Sequence, residues 1–324
     1  MSSVTVPVRH PPLIEALLRP SFYPHPAPSI ELVQTHISYV VMAGDHVYKV
    51  KKPVNFGFLD FTTVEKRRQV CHQEVELNRR LTRDVYRGVV EFTRSGGAIR
   101  WGGDGEVVDV AVAMRRLPDE CGLVRRLDAG SAGDDVMRRV ARTIARFHRT
   151  AARREETDRY GSVAAIRALV EQNAEQTERY VGRTVTRPQW ERVRAYSRAF
   201  LDRHGPLFVR RIEEGRIRDC HGDLRAEHVF LEGDDVQVID CIEFNREFRC
   251  QDTASDLAFL TMDLDRLGYP AQSNVVLNAY LEESGDYGLI PVLDFYRVYR
   301  AYVRGKVTSF LLDDSGLSEP ERAA

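Results

Sequence analysis

Residues 220–231 read CHGDLRAEHVFL and residues 236–244 read VQVIDCIEF, and this stretch decides how the rest of the chain is interpreted. Two apolar runs with β character flank Glu232-Gly233-Asp234-Asp235, which is typical of a hairpin turn. Asp223 lies just before the predicted hairpin, and Asp240 ends its second strand. The pattern therefore predicts two carboxylates at the same end of a two-stranded ribbon.

Two carboxylates in these positions could hold a substrate hydroxyl and a divalent metal side by side, as phosphoryl transfer requires. A His-Gly-Asp tripeptide alone is weak evidence, because Gly-Asp pairs are ordinary turn residues. The spacing to a strand that ends in Asp240, with Glu243 three residues further on, is more specific. We therefore treat the stretch as a candidate site.

Length and composition exclude several classes of protein. The chain has 324 residues, 43% hydrophobic content and a formal net charge of −1, which fits a two-lobed globular protein and argues against an electrostatic binder of nucleic acid. No apolar run approaches the ~20 residues of a membrane helix. The N-terminus lacks the apolar region of a signal peptide, so we expect a cytoplasmic protein without a membrane partner. No Walker-type phosphate loop occurs in the sequence.

Five cysteines, an odd number, form no C-x-x-C pair, so we interpret them as reduced thiols. A zinc cluster of Cys220, His221, Asp223 and His228 is an alternative for the central stretch. The usual spacings of zinc ligands are missing, which disfavours it.

A strand is predicted at Val47–Val50, and the run of residues 47–53 (VYKVKKP) that contains it carries Lys49 and Lys51 among apolar neighbours. Side chains alternate along a strand, so Lys49 and Lys51 share one face. A strand that faces a polar cleft would explain them, with Lys49 as the first choice for a phosphate-binding lysine and Lys51 as the second. A solvated edge strand is the alternative, because lysine is common there.

The next helix begins near Thr62 and Glu65, which form a capping-box pattern. Glu74 falls on its apolar stripe. A carboxylate there needs a partner, because an unpaired buried charge is very costly. We expect an ion pair between a strand lysine and Glu74; a glutamate at the edge of the stripe that reaches solvent is the alternative.

Two further segments of the β-rich part are candidates for nucleotide contacts. Ser38, near the start of an earlier strand, could meet a phosphate or be a plain strand serine. Met114, Arg115 and Arg116 end the last strand, and the composition then becomes helical. We place the lobe boundary after Leu117, which gives a lobe of residues 1–117 and a lobe of residues 118–324.

Helical patterns dominate the second lobe. His148 extends an apolar stripe and is best explained as a satisfied core histidine. Asp252 or Ser255 can start the next helix, predicted over Asp256–Leu267. Asp252 and Asp256 could be further metal ligands, but we favour a cap and a structural acid that holds the central loop, because helix N-termini favour carboxylates. The last helix carries a basic stripe of Arg297, Arg300 and Arg304, either a solvated, ion-paired face or the wall of a substrate site.

The order of these features resembles the aminoglycoside phosphotransferase and choline kinase group of protein-kinase-like small-molecule kinases. More narrowly, residues 45–61 (DHVYKVKKPVNFGFLDF), 240–245 (DCIEFN) and 254–260 (ASDLAFL) are similar to a bacterial aminoglycoside-phosphotransferase-like family, many of whose members continue into a P-loop ATPase domain. The resemblance covers roughly residues 30–312, and we expect no such second domain within the printed chain.

The resemblance implies an α+β, two-lobed, protein-kinase-like fold. Its N-terminal nucleotide-binding lobe would be an antiparallel sheet with one main helix, and its larger helical lobe would carry a catalytic hairpin and the substrate site. It also implies ATP and Mg²⁺ as cofactors. The roles that it implies are Asp223 as catalytic base, Asp240 as main magnesium ligand, Lys49 as the lysine of the α- and β-phosphates, Glu74 as its partner, and Met114 to Leu117 as the adenine-binding hinge.

One position departs from the family pattern. Such kinases carry an Asn five residues after the catalytic Asp, where this chain has His228. Imidazole binds metals but suits Mg²⁺ poorly, since Mg²⁺ prefers oxygen ligands. Glu243 could supply a further metal ligand.

We expect an ATP-dependent phosphotransferase that phosphorylates a hydroxyl of a small molecule, sugar-like or aminoglycoside-like. A basic wall on the last helix would favour an anionic or neutral acceptor. The alternative is a nucleotide-binding pseudokinase or regulatory module that works with a P-loop ATPase partner, and His228 is the residue that favours it.

Overall fold

A computed structural model describes residues 10–313 of the chain. The described residues divide into two compact units, with the boundary between Pro118 and Asp119. The first is mainly β and the second mainly α, which confirms the predicted α+β class. Among the described helices, none combines the length and the apolar character that crossing a membrane requires.

The first unit is a six-stranded antiparallel sheet with two helices. The strands are β1 Ile30–Gln34, β2 Ser38–Ala43, β3 His46–Lys51, β4 Tyr86–Ser95, β5 Ala98–Trp101 and β6 Glu106–Arg115, and the helices are α1 Pro12–Leu17 and α2 Val64–Asn78. The strand order is β1-β2-β3-β6-β4-β5. Strand β3 therefore lies inside the sheet, so the edge-strand explanation of its lysines is wrong.

The two faces of this sheet have different partners. Tyr48 and Val50 of β3 lie in a buried apolar cluster with Leu13 and Leu17 of α1. Because side chains alternate, Lys49 and Lys51 point to the opposite face, and α2 packs on β4 and β6. Helix α2 begins at the N-cap Thr63, whose hydroxyl accepts a hydrogen bond from the amide of Lys66. The capping box predicted at Thr62 is therefore wrong by one residue.

The second unit contains nine helices and two small two-stranded sheets in its described part. The helices are α3 Leu123–Asp128, α4 Asp134–Thr150, α5 Glu155–Asp158, α6 Val163–Thr177, α7 Arg187–Glu213, α8 Arg246–Arg249, α9 Thr253–Arg266, α10 Pro270–Ser284 and α11 Ile290–Phe310. The strands are β7 Ile217–Asp219, β8 Val229–Glu232, β9 Asp235–Val238 and β10 Cys250–Asp252. Strands β8 and β9 form the predicted hairpin, and β7 pairs with β10.

Helix α9 is the centre of this unit. Its residues from Thr253 to Leu264 are all buried, and α10 and α11 pack on it. Asp252 caps its N-terminus by accepting a hydrogen bond from the amide of Ala254, which confirms the predicted cap. A helix so enclosed gives rigid support to any group held at its first turn.

Candidate active site

The loop before the hairpin turns sharply at Gly222. Its φ is +87°, a backbone conformation that side chains with a Cβ rarely adopt. A Cβ at this position would lie 3.0 Å from the carbonyl oxygen of Phe248 and 3.2 Å from Cδ1 of Ile242. The glycine of the His-Gly-Asp sequence is therefore required by both the turn and the close packing around it.

Asp256, in the first turn of α9, holds this loop by its main chain. Its Oδ2 accepts a hydrogen bond from the amide of His221 and its Oδ1 one from the amide of Gly222, each 2.9 Å long. Burial raises the pKa of the Asp256 carboxyl. The hydrogen bond to His148 and the charge interactions with His148 and His221 lower this pKa by more, so it stays below its usual range. The prediction of Asp256 as a structural acid is confirmed.

His148 completes this support. One ring nitrogen lies 3.1 Å from Oδ2 of Asp256 and the other 2.9 Å from the hydroxyl of Tyr280. His148 is buried and both nitrogens have partners, so the prediction of a satisfied core histidine is confirmed.

Arg300 of α11 holds the same loop from the other side. It donates to the carbonyl of Gly222 at 3.1 Å and to Oγ of Ser255 at 3.0 Å, and it lies over the Phe259 ring. Only 4% of Arg300 is exposed. The neighbouring Arg297 donates to Thr261 and Ser273. The hypothesis that all three arginines of the stripe line a substrate site is therefore wrong, because Arg300 is a buried structural residue.

His221 joins the loop to the segment that bears Asp240. Its Nε2 lies 2.9 Å from the carbonyl of Ile239, and its own carbonyl accepts the amide of Ile242 at 3.0 Å. Burial lowers the pKa of His221 to about 4, so the ring is neutral near pH 7 and carries its proton on Nε2. These two bonds fix Asp223 and Asp240 relative to each other.

The loop and this segment bring Asp223, His228 and Asp240 together. One ligand atom from each of the three lies within 4.8 Å of those of the other two. Asp223 and Asp240 keep 25% and 43% of their side-chain surface exposed, whereas His228 is nearly buried. Asp240 has a φ of +64°, which is unusual for an aspartate and costs roughly 1–3 kcal/mol. Such strain is typical of functional positions.

Arg225 forms a two-pronged ion pair with Asp223. Its Nε donates to Oδ1 and its Nη2 to Oδ2, each at 2.9 Å. Burial raises the pKa of the Asp223 carboxyl, but His228 and Arg225 lower it by more. Asp223 is therefore ionised and oriented. Because its pKa is lowered, its carboxylate is a weak base.

The bonds of His228 define its tautomer. Nδ1 lies 2.8 Å from the carbonyl oxygen of Asp223, which requires a proton on Nδ1. Nε2 then carries the lone pair, accepts from Nη2 of Arg225 at 3.2 Å, and lies 3.7 Å from Oδ2 of Asp240. A carboxylate such as Asp240, together with nucleotide oxygens, is the usual protein site for Mg²⁺. The residues thus fit Mg²⁺ through Asp240, whereas the imidazole of His228 fits it poorly.

Other suggested ligands lie elsewhere. Glu243 is buried and does not belong to the three-residue group. Cys220 is buried as well: its thiol lies 3.5 Å from the carbonyl of Gln251, and burial raises its pKa. Both ring nitrogens of His221 have hydrogen-bond partners. The geometry therefore disfavours the zinc alternative.

In the first unit, Glu74 of α2 lies between the two lysines of β3. Nζ of Lys49 is 2.8 Å from Oε1, and Nζ of Lys51 is 2.6 Å from Oε2. Glu74 and Lys51 have fully buried side chains, whereas 13% of the Lys49 side chain is exposed. The predicted ion pair is present, and Glu74 does not reach solvent.

The remaining candidates of this unit have mixed surroundings. Ser38 pairs with Lys51 across β2 and β3 and is fully buried, and within the described chain its hydroxyl has no hydrogen-bond partner. Met114 is buried, and Arg115 and Arg116 form ion pairs with Asp84 and Glu31. The main-chain amides of Arg115 and Arg116 donate to the carbonyls of residues 85 and 45, so those two amides are already engaged.

Sequence reasoning missed Arg225. Its backbone is extended, with φ −123° and ψ 159°, so it shares a side with the residue two positions earlier. The signal available in the sequence was an arginine two positions after Asp223, the candidate catalytic base. Arg304, whose surroundings are described below, was predicted only as one member of a stripe.

The chain is similar to known proteins over most of its length. A family model described as "Phosphotransferase enzyme family" matches residues 66–297. Uncharacterised proteins of Mycobacterium bovis and Mycobacterium tuberculosis are each 35% identical over 297 residues, which is 92% of this chain. That match covers 57% of each relative, so the chain spans little more than half their length.

A solved structure shares the fold. The GDP complex of wild-type aminoglycoside 2'-phosphotransferase-IIIa matches with a TM-score of 0.53 and 15% sequence identity. The match covers 96% of this chain and 94% of that one. The predicted protein-kinase-like fold is confirmed.

Proposed function

Because the chain belongs to the phosphotransferase enzyme family, we propose that it transfers the γ-phosphoryl group of ATP to a hydroxyl of a small molecule. The observation that carries this proposal is the group of Asp223, His228 and Asp240, whose ligand atoms lie within 4.8 Å of one another on a buttressed loop. Phosphoryl transfer depends on positioning and charge neutralisation more than on covalent chemistry. A rigid pair of carboxylates supplies both.

Asp223 orients the attacking hydroxyl in this proposal. Each oxygen accepts one hydrogen bond from Arg225 and keeps a second lone pair for the substrate. Because its pKa is depressed, Asp223 takes the hydroxyl proton late, as bond formation to phosphorus makes that proton acidic. The contribution of Asp223 is then mainly orientation.

Each unit contributes a candidate nucleotide contact in this proposal, Lys49 in the first unit and Asp240 in the second. Lys49 places a cation on the α- and β-phosphates, and the ion pair with Glu74 fixes its side chain. Asp240 holds magnesium, which when bound neutralises charge on the phosphate oxygens. The nearly buried His228 keeps Asp223 in place through the carbonyl that it binds.

The test is a transfer assay from γ-labelled ATP, and in parallel from GTP because the solved neighbour is a GDP complex. A broad panel of hydroxyl compounds serves as acceptors, and the readout is labelled product. Asp223→Asn should abolish transfer and leave nucleotide affinity within about twofold, because it removes orientation and not binding. Lack of transfer to any acceptor by the wild type would contradict the proposal.

A nucleotide-binding regulatory module is the second candidate. Two observations favour it: His228 replaces an oxygen ligand, and Arg225 occupies both oxygens of Asp223. Such a module would bind ATP with little dependence on magnesium and would act with a P-loop ATPase partner. Nucleotide binding without turnover in the same assay would select it.

A further inference from the structure

Arg304 on α11 has hydrogen-bonding capacity that its surroundings do not use. Its side chain is 25% exposed, and its guanidinium lies 3.6 Å from Oδ1 of Asp263, which is too long for a hydrogen bond. From residue 10 to residue 313, the structure provides no hydrogen-bond partner for this guanidinium. A half-buried cation with five free donors is a binding group for an anion.

Asp263 is nevertheless oriented toward other groups, and it makes no hydrogen bond to Arg304. Nε and Nη2 of Arg266 lie 3.0 and 2.9 Å from Oδ1, and the amide of Ala226 donates to Oδ2 at 3.1 Å. Asp263 is buried. Two arginines therefore share one carboxylate, and positive charge is left over.

This surplus charge adjoins the loop that carries Asp223. Ala226, which Asp263 holds, follows Arg225, the partner of Asp223. Burial lowers the pKa of Arg304, and the nearby Arg225 lowers it further. Arg304 is thus close enough to Arg225 to be repelled by it, within the same unit.

The wider group of charges around the loop is balanced, and the surplus positive charge is local to Arg266 and Arg304, which share Asp263. Three carboxylates, those of Asp223, Glu227 and Asp263, face the three guanidinium groups of Arg225, Arg266 and Arg304. No carboxylate among these three is left to bind an ammonium group, whereas Arg304 has donors to spare. The local surplus at Arg304 disfavours a polycationic acceptor and favours one with an oxyanion.

We propose that the acceptor is an anion, a hydroxyl compound with a carboxylate or phosphate group that Arg304 and Arg266 bind beside Asp223. Guanidinium groups recognise both oxyanions with paired hydrogen bonds. This inference rests on the proposed function and adds the substrate class. It assigns Arg304 a role in specificity, distinct from the structural role of Arg300 four residues earlier on the same helix.

The first test measures the binding of inorganic sulfate, a simple oxyanion probe, by titration of the whole chain without nucleotide. The variants are Arg304→Gln and Arg266→Gln, with Arg304→Lys as the conservative change and Arg203→Gln as the control. Arg203 is an exposed residue of α7 and is distant in sequence from Asp263, Arg266 and Arg304. We expect the Kd for sulfate to rise about tenfold in each Gln variant, as loss of a charged hydrogen bond predicts, and to stay unchanged in Arg203→Gln. Arg304→Lys should retain part of the affinity.

Equal sulfate affinity in the wild type and Arg304→Gln would overturn the inference, as would the absence of sulfate binding to the wild type. The second test compares four acceptors with a three-carbon backbone: D-glycerate, sn-glycerol 3-phosphate, glycerol and 3-amino-1,2-propanediol. Transfer from ATP should favour the anions at least tenfold in kcat/KM, and Arg304→Gln should remove that preference. The two anions separate carboxylate from phosphate recognition.

The second test also separates two kinds of failure. Equal or better transfer to the amine would refute the anionic acceptor and leave the phosphotransferase proposal standing. Transfer to none of the four would count against the proposed function, and the anion site would then be decided by the sulfate titration alone.

Discussion

The ammonium of Lys49 lies 2.8 Å from a carboxylate oxygen of Glu74. The other oxygen is bound by Lys51, so one buried acid joins a strand to a helix through two lysines. The two lysines differ in exposure: 13% of the Lys49 side chain reaches solvent, and none of the Lys51 side chain does. This difference separates a lysine that can meet a ligand from one that supports the fold.

Lys49→Met should therefore weaken ATP binding and change stability little. We expect the Kd for ATP to rise at least tenfold, since a charge on the phosphates is lost. Lys51→Met should instead lower the free energy of unfolding by about 2 kcal/mol or more, because it removes one partner of a buried ion pair. Calorimetric titration of ATP and urea unfolding of both variants measure the two effects. If Lys51→Met folded normally and lost ATP, the two roles would have to be exchanged.

Asp256 is predicted to matter for turnover without touching substrate. Asp256→Asn replaces an oxygen that accepts the amide of His221 or Gly222 with an NH₂ group, so one main-chain donor loses its partner. We expect a loss of about 3 kcal/mol in unfolding free energy and a fall in kcat with nearly unchanged ATP affinity. Asp265→Asn on the same helix is the matched control, because Asp265 is 39% exposed and lies 3.5 Å from Arg297. A normal kcat in Asp256→Asn would refute the positioning role.

Gly222 permits a comparison in which backbone strain is held constant. Gly222 and Gly268 have φ values of +87° and +90°, so alanine is strained at both, by roughly 1 kcal/mol. Only Gly222 has backbone 3.0 Å from the added Cβ; Gly268 has no atom within 4 Å. Gly222→Ala should therefore lose more stability than Gly268→Ala and lose activity as well. Thermal unfolding and the transfer assay give the comparison, and equal effects of both changes would contradict it.

Local patterns predicted the parts of the site that depend on local periodicity. The alternation of β3 placed Lys49 and Lys51 on one face, and helical spacing put Glu74 toward them. The two acids of the hairpin are together because two strands of a tight hairpin return to the same end. Asp256 was predictable because a carboxylate in the first turn of a helix is suited to bind main-chain amides.

Tertiary context decided the parts that the sequence could not predict. Strand order is not encoded in local spacing, so β3 could be mistaken for an edge strand. The stripe of arginines on α11 has helical periodicity, but which helix covers each arginine depends on packing: α9 covers Arg300 and leaves Arg304 partly open.

Lys306 gives a pH dependence with a defined sign. Its ammonium donates to Asn173 and Gln176 and, in the chain from 10 to 313, has no carboxylate partner. Burial lowers its pKa from 10.5 to about 8. Between these values the unfolded chain binds more protons than the folded one, so the contribution of Lys306 to stability rises with pH, by about 3 kcal/mol in total.

Lys306→Met should be more stable than the wild type at pH 7 and should lack this rise. The measurement is the free energy of unfolding in urea at several pH values from 7 to 10, taken as the difference between the two proteins. The tyrosines contribute equally to the pH dependence of both proteins, so their contribution cancels in this difference. A difference that stays constant over this range would show that the Lys306 pKa is not depressed.

Asp240 should make the binding of ATP depend on magnesium, and the proposed function depends most directly on this residue. Asn tolerates the φ of +64° at least as well as Asp, so Asp240→Asn should fold normally and differ only in its charge. The measurement is titration of ATP with and without Mg²⁺ on the wild type and on Asp240→Asn. We predict that Mg²⁺ tightens ATP binding at least tenfold in the wild type and has little effect in the variant. ATP affinity that is the same with and without Mg²⁺ in the wild type would contradict the claim and favour the regulatory module.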